Sequence, residues 1–239
     1  MTQPTDPAHL LEQVVELDTD ALATEIDHRI RTLPAQTIQP IRAVRRAYSK
    51  RLRPAPAEVV VALAVALVDR QRWVAYELVY HHPGGLESLG VEDLERLGRG
   101  MEDWGSVDAF GCYISGPAWQ QGDLPDVVIH RWAASPDRWW RRAALVSTVP
   151  LNLRSRGGTG DTNRTLSICQ RLVADRDDMV VKALSWALRQ LAVWDPEAVR
   201  GFLEAHDKVL APRVRREVRN KLETGLKSPS RRATQPRSH

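Results

Sequence analysis

DMVVKALSWALRQLAV, residues 178–193, repeats its apolar side chains with the period of an α-helix. At about 100° per residue, Val180, Val181, Leu184, Leu188 and Leu191 fall on one side, and Lys182, Trp186 and Arg189 fall roughly opposite. The first group needs a core. The second places an aromatic between two cations on a face that this core does not use, although packing against a neighbouring helix would also account for the Trp.

The same period recurs on both sides of this stretch. Upstream it predicts helices over 6–18, 20–33, 40–53, 56–69, 72–81, 91–99, 104–115, 124–134, 136–149 and 161–175; downstream it predicts helices over 196–206 and 211–222. Gly116-Pro117 is expected to end the 104–115 helix, and His81 and His82 read as helix-end residues before Pro83. No segment alternates as a strand would. The fold class is therefore all-α. Short loops group the helices into pairs of roughly 30 to 40 residues, the spacing of HEAT or armadillo repeats that stack into an α-solenoid with a concave face. A compact irregular bundle is the alternative. One domain over 1–226 is expected, followed by a Ser/Pro/Arg-rich tail over 227–239 whose composition predicts disorder.

Composition narrows the function classes. Of 239 residues, 43% are hydrophobic and 27% charged, as in soluble globular chains. No apolar run approaches the roughly 18 residues of a membrane span, and the start lacks the pattern of a secretory signal, so a cytoplasmic protein without a membrane partner is expected. Cys112 and Cys169 have no metal-ligand spacing and read as buried small hydrophobes. No metal motif and no cofactor motif is present. The net charge is +4, yet the first 210 residues carry 25 basic and 28 acidic groups, whereas the stretch from Ala211 onward carries 9 and 2. Basicity is local, clustered at 42–53, 138–142, 154–156 and 213–221, and interleaved with Trp. Such clusters on successive helices suggest a phosphate-binding surface.

Two further stretches complete the candidate site. In MEDWGSVDAFGCYISG, residues 101–116, helical rotation places Trp104, Asp108, Gly111 and Ser115 on one stripe and Val107, Phe110 and Ile114 on an apolar flank. An aromatic and a carboxylate thus share a face the core does not need, and Gly111 leaves room for close approach. In DRWWRRAALVSTV, residues 137–149, one of Trp139 and Trp140 is expected inward and the other at a groove; at least one of Arg141 and Arg142 is expected to face outward as a planar fork for phosphate. Glu77 reads as a structural ion-pair partner. The RGGTGD loop, residues 156–161, lacks the Lys-Ser/Thr and the preceding strand of a P-loop.

Taken in order, DWGSVD, WAASPDRWWRRAAL and KALSWALR followed by DPEAV resemble the motifs of the AlkD-like DNA alkylation repair family, over roughly residues 70–222. The resemblance implies a solenoid of HEAT-like repeats that cradles duplex DNA in a concave basic groove. It also implies removal of cationic N3- and N7-alkylated purines by a monofunctional glycosylase. The family's catalytic carboxylate falls on Asp108, its site tryptophans on Trp104 and Trp186, and its phosphate-contacting arginine on Arg142. Arg141, Lys182, Arg189, Arg154 and Arg156 join Arg142 as candidate DNA-binding residues. Gly105 stands where relatives often carry Asp, and the RGGTGD loop looks like an insertion.

The residue types suit that chemistry. A purine alkylated at N3 or N7 is already cationic and leaves without a general acid. One fixed carboxylate is then enough to stabilise the oxocarbenium-like sugar and orient water. Glycosidases with neutral leaving groups need two. No cofactor is required, and a monomer acting on duplex DNA is expected. A non-catalytic helical-repeat module that binds DNA, and a protein-interaction scaffold, are the rival readings.

Overall fold

A computed structural model describes residues 18–229. Among these residues every regular element is helical. The helices are α1 (Thr19–Arg31), α2 (Ile38–Leu52), α3 (Ala57–Tyr80), α4 (Val91–Gly98), α5 (Trp104–Phe110), a π-helical turn (Gly111–Ser115), α6 (Gly116–Gln121), α7 (Asp126–Ala133) and α8 (Arg138–Leu151). A 3-10 turn (Arg154–Arg156) precedes α9 (Thr162–Arg171), α10 (Asp178–Leu191), α11 (Pro196–Ala205) and α12 (Pro212–Thr224). The helix expected over 6–18 lies outside the described residues, as does the tail beyond residue 229.

Local chemistry sets most of these boundaries. α1, α5, α8, α9, α10 and α11 each start behind an aspartate whose carboxylate accepts backbone N–H groups of the first turn. Each such cap contributes about 1 kcal/mol. Pro196 and Pro212 open their helices where the missing N–H costs nothing. The two helices expected over 56–69 and 72–81 form one element, interrupted at Gln71, whose backbone leaves the helical region. The side-chain amide of Gln71 donates to Asp27 at 2.9 Å, tying that break to α1.

Packing proceeds from neighbour to neighbour. α1 and α2 pack on α3; α3, α5, α8, α10 and α12 then each pack on the next, with α4, α7, α9 and α11 flanking them. This order is consistent with an α-solenoid. The apolar face of α10 is buried as its period requires, with Val180, Leu184, Leu188 and Leu191 at 1% exposure or less. Val107, Phe110 and Ile114 are fully buried too. Phe110 meets Tyr76, Trp132 and Trp140 in one aromatic cluster, so Trp140 is the inward member of its pair. Trp139 stays half-buried beneath Arg138.

Two expectations fail in residues 111–117. Gly116-Pro117 does not end the helix, which continues as α6 to Gln121 and stops at Gly122 in the left-handed conformation. Pro117 is tolerated because it follows directly on the π turn, where the regular i to i−4 ladder is already broken. Gly111 and Ser115 do not share the open face of Trp104 either. A Cβ on Gly111 would lie 2.5 Å from Cγ1 of Val146, so the close approach made there is by α8. Ser115 is fully buried, with its hydroxyl 2.7 Å from that of Ser147 on α8. The wider π turn alters the rotation per residue, which a fixed helical period does not anticipate.

Candidate active site

Asp103 starts the site. Its carboxylate accepts the N–H groups of Gly105 at 2.7 Å and Ser106 at 3.0 Å, and the Ser106 hydroxyl donates to it at 2.9 Å. Partial burial pushes its carboxyl up, but these hydrogen bonds prevail and hold it below the ordinary value. The cap sets the first turn of α5. Trp104 stands 62% exposed, and Asp108 lies one turn further on.

Arg142 of α8 meets Asp108 as a fork. Its Nε donates to Oδ1 and its Nη2 to Oδ2, both at 3.0 Å. Its Nη1 donates at 2.5 Å to the carbonyl of Met179 in the first turn of α10. One guanidinium therefore ties three helices together. The arginine side chain is 6% exposed and the carboxylate 20%. Burial pushes the Asp108 carboxyl above its ordinary value and the Asp103 charge adds to this, while Arg142 opposes both.

A cavity of about 380 Å³ opens beside this pair. Trp104, Arg142, Met179, Lys182, Trp186, Arg189 and Lys227 line it. Trp104 and Trp186 are thus brought to one cavity from α5 and α10, with Asp108 joined to its wall through Arg142. Lys182, Trp186 and Arg189 lie along one face of α10, as the period predicts. Lys182 pairs with Asp178 at 2.6 Å. Nε of Arg189 donates at 3.2 Å to the hydroxyl of Ser185, which donates at 2.7 Å to Glu217.

The other arginines are placed differently. Neither Arg141 nor Arg142 faces outward, contrary to expectation. Arg141 donates to Asp175 at 2.8 Å and to the carbonyls of Ser135 and Pro136, because the chain entering α8 turns back over it. Arg154 lies over the ring of Trp194 and Arg156 over that of Tyr113, away from the cavity. Glu77 is buried in a pair with Arg45 at 2.8 Å, as expected. His81 caps the end of α3, and His82 contacts the carbonyl of Ala55. Burial pushes both thiols up, that of Cys112 to about 12. Among the described residues no cluster of three or more His, Cys, Asp or Glu is placed to hold a metal, and no helix is long and apolar enough to cross a membrane.

Two contributors escape sequence reasoning. The Met179 carbonyl that anchors Arg142 is backbone and carries no residue signal. Lys227 reads as tail, yet Gly225, at φ +75°, turns the chain back so that Lys227 reaches the cavity and lies 3.7 Å from Glu217. Charge pattern could have flagged the Lys but not the turn.

Comparison with known proteins supplies the remaining finding. No curated protein and no solved structure matches the chain. A family model described as DNA alkylation repair enzyme matches residues 36–222, which is most of the chain, and the chain belongs to this family of DNA repair enzymes.

Proposed function

We propose that the protein is a DNA glycosylase that hydrolyses the N-glycosidic bond of cationic N3- and N7-alkylated purines in duplex DNA, bound in a concave groove of HEAT-like repeats. One observation carries this reading: Trp104 and Trp186 converge on one cavity whose wall is the Arg142 guanidinium clamped to Asp108. Two indole faces suit a positively charged nucleotide, each contributing about 0.5 to 2 kcal/mol according to desolvation. The carboxylate is fixed before the reaction begins, so it stabilises the developing oxocarbenium without reorganising.

Arg142 acts as a positioning residue in this scheme. Each carboxylate oxygen has two lone pairs, and the fork leaves capacity on both for water and for the sugar cation. The pairing also opposes the upward push that burial gives this carboxyl. Lys182, Arg189, Arg154 and Arg156 supply positive charge for the backbone, giving affinity that falls with salt and does not read sequence. The substrate loses its cationic base as a neutral alkylpurine, water adds at C1′, and one proton is released.

The test is release of 7-methylguanine from methylated duplex DNA. The wild-type chain releases it, and Asp108→Asn binds the same DNA but releases the base at least about 100-fold more slowly, the scale of losing one preorganised electrostatic group. Arg142→Lys keeps the charge and loses the fork, so it slows release while retaining DNA binding. No release by wild type, or equal release by Asp108→Asn, overturns the proposal.

A further inference from the structure

A second concavity, of about 420 Å³, lies at the other end of the α5–π segment, where α2, the end of α3 and the 3-10 turn meet. Arg42, Arg45, Arg46 and Arg156 line it together with Tyr80 and Tyr113, and a single carboxylate, Glu77, opposes the four cations. Glu77 is engaged by Arg45 at 2.8 Å, with Arg42 at 3.9 Å. Arg46 is exposed. Positive charge is therefore in excess at this concavity.

Arg156 is held by three contacts. Its guanidinium lies 4.2 Å from the ring centre of Tyr113 and 5.4 Å from that of Tyr80, and Nη1 donates at 2.7 Å to the carbonyl of Cys112. Tyr80 and Tyr113 meet edge to face at 5.3 Å. Of five N–H donors in the fork, only one is taken by that carbonyl. The loop after Arg156 exists in the form that delivers it: Gly157 takes φ +78°, and at Gly158 a Cβ would collide with the carbonyl oxygen of Pro150. Burial holds His81 below its ordinary value, and Arg45 and Arg156 push it the same way, as concentrated positive charge nearby requires.

We propose that this arginine cluster is a dedicated site for one phosphodiester group of the DNA backbone, set at a fixed offset from the lesion. The reference point rests on the glycosylase reading of Asp108. Asp108 and Tyr113 belong to one continuous segment, α5 and the π turn that follows it. The phosphate held by the cluster therefore keeps one fixed position relative to the damaged nucleotide. The contacts of Arg156 with Tyr113 and the Cys112 carbonyl make this a built site, with the guanidinium held in place before DNA arrives.

Duplexes carrying one alkylated purine and a single neutral methylphosphonate, moved position by position, test this. The wild-type chain loses roughly tenfold in affinity when one particular phosphate, at a constant offset from the lesion, is neutralised. Arg156→Ala loses the same amount on the unmodified duplex and nothing further at that phosphate. Arg46→Gln, on an exposed position that is safe for folding, shows partial masking at the same phosphate. A scan in which no phosphate is masked by either variant overturns the site even where base release is normal. A masked phosphate without any base release upholds the site and rejects the glycosylase reading. Tight binding of inorganic phosphate alone, with a featureless scan, assigns the cluster to a free anion and also overturns the proposal.

Discussion

The two ends of the segment from Trp104 to Ser115 begin from the same sequence pattern and finish in opposite environments. Trp104 is exposed and Asp108 touches the cavity wall, whereas Gly111 is pressed on Val146 and Ser115 is sealed against Ser147. A fixed period places all four on one stripe. What separates them is the π turn together with α8, whose backbone closes on the C-terminal half and which meets Asp108 through the long Arg142 side chain. Close packing at one end thus supports an open, electrostatically organised site at the other.

The largest expected effect comes from breaking the open end. Asp108→Asn leaves the Arg142 guanidinium, 6% exposed, without its counter-charge. Loss of one partner of a buried pair costs about 3 to 5 kcal/mol, and the residual exposure of Asp108 places this one at the lower end. Denaturant titration should show it alongside the loss of base release. Unchanged stability would mean that the fork forms no part of the folded ground state.

Gly111→Ala attacks the closed end. The added methyl meets Val146 at 2.5 and 2.8 Å, and both its side chain and the backbone behind it must move. Overpacking of this kind costs about 1 to 3 kcal/mol. Because Val146 lies one turn from Arg142 on α8, base release should fall as well. A variant that is destabilised yet fully active would show that the two ends are uncoupled.

Trp104→Ala removes an exposed ring and should leave the unfolding midpoint nearly unchanged. Its effect is on affinity for alkylated over unmodified DNA, about 0.5 to 2 kcal/mol by competition binding. The smallest effect is at Ser115. Its hydroxyl pairs with Ser147, which itself donates to the carbonyl of Ala143 at 2.7 Å. Ser115→Ala costs about 1 kcal/mol of stability with base release retained. Loss of activity there would place Ser115 in the site after all.

Much of this was legible residue by residue. The period of 178–193 predicts which face of α10 is buried, and the face left over, Lys182, Trp186 and Arg189, does line the cavity. The starts expected at 104 and 178 hold because Asp103 and Asp177 stand directly before them, and a short carboxylate satisfies N–H groups within its own turn. Such signals are local, so a linear pattern carries them. Arg141 and Arg142 show the opposite case. Adjacent and chemically identical, they are each recruited by a carboxylate 34 residues away, Arg141 by Asp175 and Arg142 by Asp108. Nothing in RWWRRAAL says which partner each will find.

The sequence by itself therefore determined the all-helical class, most of the helix boundaries within a few residues and the three motifs that carry the family resemblance. All of these depend on contacts within one or two turns. Only the tertiary structure decided that Arg142 is turned inward to hold Asp108, that Gly111 serves α8, and that Arg156 reaches Tyr80, Tyr113 and the α2 arginines. The physical reason is that the orientation of a charged or small side chain is set by what stands opposite it, and in this chain what stands opposite belongs to another helix.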